Sequence, residues 1–185
     1  RPLCNKAAKH TANDEETMYR TLEYTILFVV MALLQVFLFS RIGVSVYIHP
    51  LAYVAFIILL PMEIAPLLLL TLGLLMGVTM DVFMGTAGIN TIATLFVAFC
   101  RPTLLAGKDE VKDGGIPNVN RLGIKKFIKY ASFMVLLHST VFFIFETLSL
   151  HFFYLTLLRI LLSSAVTLLL VYFCQRLFSV NRQKP

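Results

Sequence analysis

Few residues in this chain could do chemistry, and they stand in long apolar runs. Gly73, Gly77 and Asp81 are each four residues apart, so on a helix they form one stripe. Gly85, Gly88 and Asn90 follow, and suit a non-helical turn before the next apolar run. Two glycines at that spacing let a neighbouring helix come close, and helix association in lipid depends on such packing. The carboxylate raises the stakes, because an ionisable group at bilayer depth costs ~2.5–3.5 kcal/mol on insertion scales and needs a partner or a purpose. Arg159 is one candidate partner, on a helix where Thr156, Arg159, Ser163 and Thr167 make a polar stripe. Glu146 competes with Asp81 for it, since Ser132, Ser139 and Glu146 share a face at seven-residue spacing. The expectation is a buried network of Asp81, Glu146, Arg159 and Ser163 in which Arg159 pairs with Asp81 or with Glu146. The opposing expectation is that Arg159 snorkels outward and pairs with neither.

Catalytic patterns are missing from the sequence. No serine or cysteine has an evident base, no glycine loop with lysine could cradle a phosphate, and no carboxylate and histidine cluster has metal spacing. His49, His138 and His151 are dispersed, and Cys4, Cys100 and Cys174 form neither a disulfide framework nor a metal motif. The chain reads as a non-enzyme with no cofactor and no metal.

The elements that must position these groups are membrane helices. Of 185 residues, 58% are apolar and 14% charged, a balance that implies lipid as solvent, and the mean hydropathy is +0.83. Apolar runs and their breakers predict an all-α, polytopic bundle of six transmembrane helices at about 24–40, 46–60, 64–80, 89–105, 127–146 and 152–174. The break between the second and third rests on Pro61 and Pro66 around Glu63.

Charge tests that count. Of sixteen Lys and Arg, seven lie between Arg101 and Lys129, three in the C-terminal tail and four before the first span. Six helices put all three groups on one face, which the positive-inside rule makes cytoplasmic, with both termini inside. Residues 1–17 are polar and are set aside as a tail whose native status stays open, with Met18 a candidate start. The membrane domain is then 18–180, followed by a short cytoplasmic tail at 181–185. The first apolar run is long for a signal-peptide core and lacks a small-x-small cleavage site, so it reads as a span. Arg121, Lys125, Lys126 and Lys129 alternate with apolar residues, a pattern suited to anionic membrane lipid. The basic balance does not point to nucleic acid.

The run 66–102 resembles the signature region of the bacterial rod shape-determining protein MreD family. Its pattern is a glycine-containing apolar helix, an aspartate, a short glycine-bearing turn and another apolar helix, met here by Gly73, Gly77, Asp81, Gly85 and Gly88. Length, helix count and a start at Met18 extend the resemblance over nearly all of 18–185, by hydropathy rather than by residue outside this region. The resemblance implies a non-catalytic inner-membrane component of the peptidoglycan elongation machinery. It would work with MreC, MreB, RodA and a class B penicillin-binding protein to maintain cell shape. The family is also similar in fold to the substrate-binding S-components of energy-coupling-factor transporters, which makes a subunit for a small, vitamin-type solute the alternative. A transporter should converge polar residues on a cavity open to the outside. A scaffold should fill that space and keep its charges paired.

Overall fold

The computed structural model describes residues 18, 21–39, 49–105, 117, 119–147 and 153–180. The tail 1–17, Arg41, linker residues 106–116, His151 and the tail 181–185 lie outside the described residues. Among the described residues every element is helical and there is no strand. The order is α1 (Thr21–Phe37), whose end winds as a π-helix over Leu34–Phe39, then α2 (Val54–Leu59), α3 (Pro66–Met84), α4 (Ile89–Leu105), α5 (Val119–Leu122), α6 (Ile124–Thr147) and α7 (Phe153–Val180).

Among the described residues, three stretches are long and apolar enough to cross a membrane: Pro66–Met84, Ile124–Thr147 and Tyr154–Arg176. α1 and α4 are shorter apolar helices. The outward faces carry large hydrocarbon side chains, such as Leu67 at 78% exposure and Phe99 at 69%. In water such a surface would be a liability; in lipid it faces its own solvent. The chain is a membrane protein by helix length and composition.

α3 and α4 pack as a tight hairpin, α6 lies against both α4 and α7, and α2 touches α3, α4, α6 and α7. Pro66 opens α3 at a first-turn position, where its missing N–H is no loss. On α6, Phe127, Tyr130, Ala131, Met134, Val135, His138 and Phe142 are buried at helical spacing and form the inner stripe.

The expected second helix, 46–60, is corrected in extent. Its described part, 49–60, is helical over only six residues, Val54–Leu59, a rise of ~9 Å at 1.5 Å per residue, and is non-helical chain before them. Every residue from Leu51 to Leu60 is at most 1% exposed, so this segment is the centre of the bundle rather than a lipid-facing wall. Apolar residues suit either place, which is why hydropathy could not separate them. One boundary also moves: α3 runs to Met84 rather than 80, placing Asp81 inside its last turn. α4 spans the expected 89–105, and Arg101, counted among the linker charges, lies inside it and is 1% exposed.

Candidate functional site

The hairpin of α3 and α4 is built around Gly77 and Asp81. A methyl at Gly77 would stand 2.5 Å from Thr91 Cα and 3.1 Å from Thr91 N, so the glycine admits the α4 backbone itself. At Gly73 the nearest atom is the Ala98 side-chain methyl at 3.1 Å. Beyond Asp81 the helix ends on Gly85 in the left-handed region (φ 67), with its N–H donating to the Asp81 carbonyl. Gly88, also at positive φ (88), completes the turn.

The Asp81 carboxylate accepts hydrogen bonds across this turn. Its Oδ1 receives Thr86 Oγ1 at 2.5 Å, Asn90 N at 3.0 Å and Asn90 Nδ2 at 3.0 Å. Its Oδ2 receives Thr91 N at 2.9 Å and Thr91 Oγ1 at 2.5 Å. Asn90 and Thr91 open α4, whose first N–H groups have no partner within the helix. Asp81 therefore caps α4 from the end of α3, and its negative charge suits the positive end of the α4 dipole.

Asn90 carries the network inward. Its amide NH2 faces Asp81 and Thr86 Oγ1 (2.6 Å), and its Oδ1 accepts from Tyr53 OH at 2.8 Å. Tyr53 OH also lies 2.9 Å from His138 Nε2. Because the single phenolic hydrogen goes to Asn90, His138 must donate from Nε2. One hydrogen-bonded chain thus joins α6, the start of α2, α4 and α3, with Tyr53, Asn90 and His138 all buried.

The stretch before α2 has no helical hydrogen bonds of its own, and side chains supply them. His49 N donates to Ser163 Oγ and Leu51 N to Thr167 Oγ1, both at 3.0 Å. The match is geometric: two residues of extended chain advance ~6.6 Å, and four residues of helix ~6 Å. On the other side Gln35 Oε1 accepts from Ala52 N at 2.8 Å while its Nε2 donates to Pro50 O at 3.0 Å. Non-helical backbone at membrane depth is tolerable only when buried and satisfied in this way. Thr167→Val, nearly the same shape, is expected to cost ~1–3 kcal/mol by leaving the Leu51 N–H bare. Thr71→Val should be close to neutral, because that exposed hydroxyl bonds only its own helix at Leu67 O. Unfolding of the two purified variants in detergent would compare them, and equal stability would contradict the assignment.

The far end of α2 is held by Arg101. Its Nε donates to Tyr130 OH at 2.9 Å, one terminal nitrogen donates to Pro61 O at 3.1 Å and the other donates to Leu60 O. Tyr130 OH in turn donates to Ile58 O at 3.3 Å. A cation at the carbonyl end of a helix is favourably placed against its dipole.

Of the four groups expected in one buried network, the structure separates three ways. Asp81 caps α4 and makes no ion pair with Arg159. Arg159 lies 3.6 Å from Glu146, with the two side chains 24% and 35% exposed, and its guanidinium sits 5.6 Å from the Phe143 ring centre. Such half-exposed pairs contribute only ~0–1 kcal/mol in most cases. Ser163 serves the His49 backbone instead.

No family model, curated protein or solved structure matches this chain.

Four residues of the central network, Gln35, Tyr53, His138 and Arg101, were not singled out as a site by sequence reasoning. The available signal was polarity out of place: Gln35 inside the first apolar run, and Arg101 flanked by Phe99, Cys100, Leu104 and Leu105. The expected helix 89–105 already enclosed Arg101, which was nonetheless counted with the charges of the connection that follows. Among the described residues, no three His, Cys, Asp or Glu side chains gather into a metal-ligating group.

Proposed function

We propose that this chain is a non-catalytic, multi-pass scaffold of the bacterial cytoplasmic membrane, with both termini cytoplasmic, that serves the cell-wall elongation machinery and maintains rod shape. The observation that carries this reading is the filled centre: Leu51–Leu60 occupies the middle of the bundle, all buried. Thr167, Asn90, Tyr53 and Arg101 around it bond one another or the 51–60 backbone, while His138 Nδ1, Ser139 Oγ and Ser164 Oγ are buried with no hydrogen-bond partner among the described residues. A subunit that captures a vitamin-type solute would instead aim such groups into an accessible cavity. The resemblance of the Gly73, Gly77, Asp81, Gly85 and Gly88 pattern to the MreD family supplies the biological setting. MreC, MreB, RodA and a class B penicillin-binding protein are the partners it implies.

The mechanism is differential contact. A rigid hairpin of α3 and α4 presents a fixed lipid-exposed face, and a partner seated on it biases a multiprotein complex without turnover. Depletion in the native bacterium, followed by microscopy, tests this. Rods rounding up as the protein is lost is the expected result. Unchanged shape accompanied by a vitamin requirement would overturn the scaffold in favour of the transporter subunit.

A further inference from the structure

A cleft of about 600 Å³ opens on the lipid-facing side of the bundle between α1 and α3, floored by α2. Phe28, Phe56, Leu68, Leu72 and Leu75 form its apolar walls, and Glu63 stands at one mouth. The lining runs from Thr21 to Phe28 on α1 and from Leu68 to Leu75 on α3, each seven residues or ~10.5 Å of rise. That is most of one leaflet of a hydrocarbon core ~30 Å thick. Leu75 lies nine residues into α3, ~13.5 Å from its start and so near the midplane, while Glu63 precedes the helix at headgroup level.

We infer that this cleft binds one acyl chain of a phospholipid from the leaflet on the Glu63 side, with Glu63 selecting a headgroup that carries an ammonium. Size argues for a single chain rather than a protein segment. A docked helix ~20 Å long would run about twice the ~10.5 Å length of the lining. Position argues for a lipid in place, since the opening faces hydrocarbon and spans one leaflet. Charge argues for the headgroup. Glu63 is exposed, and among the described residues no Lys or Arg pairs with it. A carboxylate there attracts the ammonium of phosphatidylethanolamine and repels a net anionic phosphatidylglycerol. Both polar ends stay in the interface while the chain lies against aromatic and branched walls. The inference requires only that the protein lies in a bilayer and holds whether or not it is a scaffold.

Native mass spectrometry of the full chain in detergent, titrated with palmitoyl-oleoyl phosphatidylethanolamine or phosphatidylglycerol, tests it. One phosphatidylethanolamine should be retained in preference to phosphatidylglycerol. Leu72→Trp, which fills the cleft, should lower retention at least fivefold. Phe99→Trp, on the exposed face of α4, should leave it unchanged. Glu63→Gln lies in an exposed turn outside the packed core, and should keep the lipid but reduce the headgroup preference about threefold to fivefold, the scale of an exposed charge pair. Equal retention of the two lipids by the native protein, or equal loss in Leu72→Trp and Phe99→Trp, would overturn the site. A co-purified polypeptide displaced by Leu72→Trp would assign the cleft to a partner's membrane segment and overturn it as well.

Discussion

Asp81→Ala is expected to lower the melting temperature of the purified protein by about 6–12 °C, the equivalent of ~3 kcal/mol at ~2–4 °C per kcal/mol for a chain of this size. Two backbone N–H groups at the start of α4 lose their acceptor, and a cap is worth ~0.5–2 kcal/mol. The side-chain donors Thr86, Asn90 and Thr91 lose an ionised acceptor, each such bond contributing ~1.5–3 kcal/mol. Partial exposure works against the full sum, because water reaches part of the site and the threonine hydroxyls can turn elsewhere. Asp81→Asn should fall between. Its carbonyl can serve one group of donors, but its NH2 must then face the other, whether Thr91 or the Asn90 and Thr86 pair. A melting temperature for Asp81→Ala within about 2 °C of the native protein, on the same scale, would exclude a capping role.

Gly77→Ala should destabilise the protein by ~3 kcal/mol or more, whereas Gly73→Ala should be close to neutral. Carbon atoms rest ~3.5–4.0 Å apart, and the new methyl at Gly77 would meet Thr91 Cα at 2.5 Å. Backbone cannot swing aside as a side chain does, so the helices must part by about 1 Å or more. Overpacking of this kind costs ~1–3 kcal/mol and occasionally more. Here the displaced residue is also the one whose N–H and hydroxyl bind Asp81. At Gly73 the contact is a methyl at 3.1 Å, which needs a shift of a few tenths of an ångström. The gain from replacing a helical glycine by alanine, ~0.8–1.0 kcal/mol, offsets that strain. Unfolding of both variants in detergent tests the contrast. The double variant Gly77→Ala with Asp81→Ala should lose less than the two separately, since the first already disturbs the cap. Indistinguishable melting of Gly73→Ala and Gly77→Ala would rule out the close backbone approach.

The long apolar helices were legible because a run that satisfies lipid on its outside must be apolar nearly throughout, and α3, α4, α6 and α7 are. The centre was less legible for the same reason. A segment wrapped by other helices and one wrapped by lipid draw on the same Leu, Ile and Phe, so 46–60 read as another wall. The glycine and aspartate stripe was visible as spacing, and its close contact with α4 is what such spacing permits. Of the two pairings left open for Arg159, the structure has the one with Glu146. The donors Asp81 meets are Thr86, Asn90 and Thr91, five to ten residues onward, brought back by a turn that rests on Gly85 and Gly88. Short-range capping prevailed over a long-range ion pair because it needs only one tight turn. The Ser163 and Thr167 stripe was also visible. Its use was not, because the groups it serves are backbone N–H groups, which every residue except proline carries.

The dependence of His49 and Leu51 on Ser163 and Thr167 also constrains the order of assembly. A chain made from its N-terminus carries the 49–53 stretch into the membrane long before the last helix exists. Until that helix arrives, the stretch holds unpaired N–H groups that hydrocarbon cannot solvate. The early segment must therefore wait in a wetter or shielded setting, and α7 closes the bundle from behind as the final step. Contacts separated by 114 and 116 residues make the native centre a late event. A product cut short before α7 would expose an unfinished core to quality-control proteases.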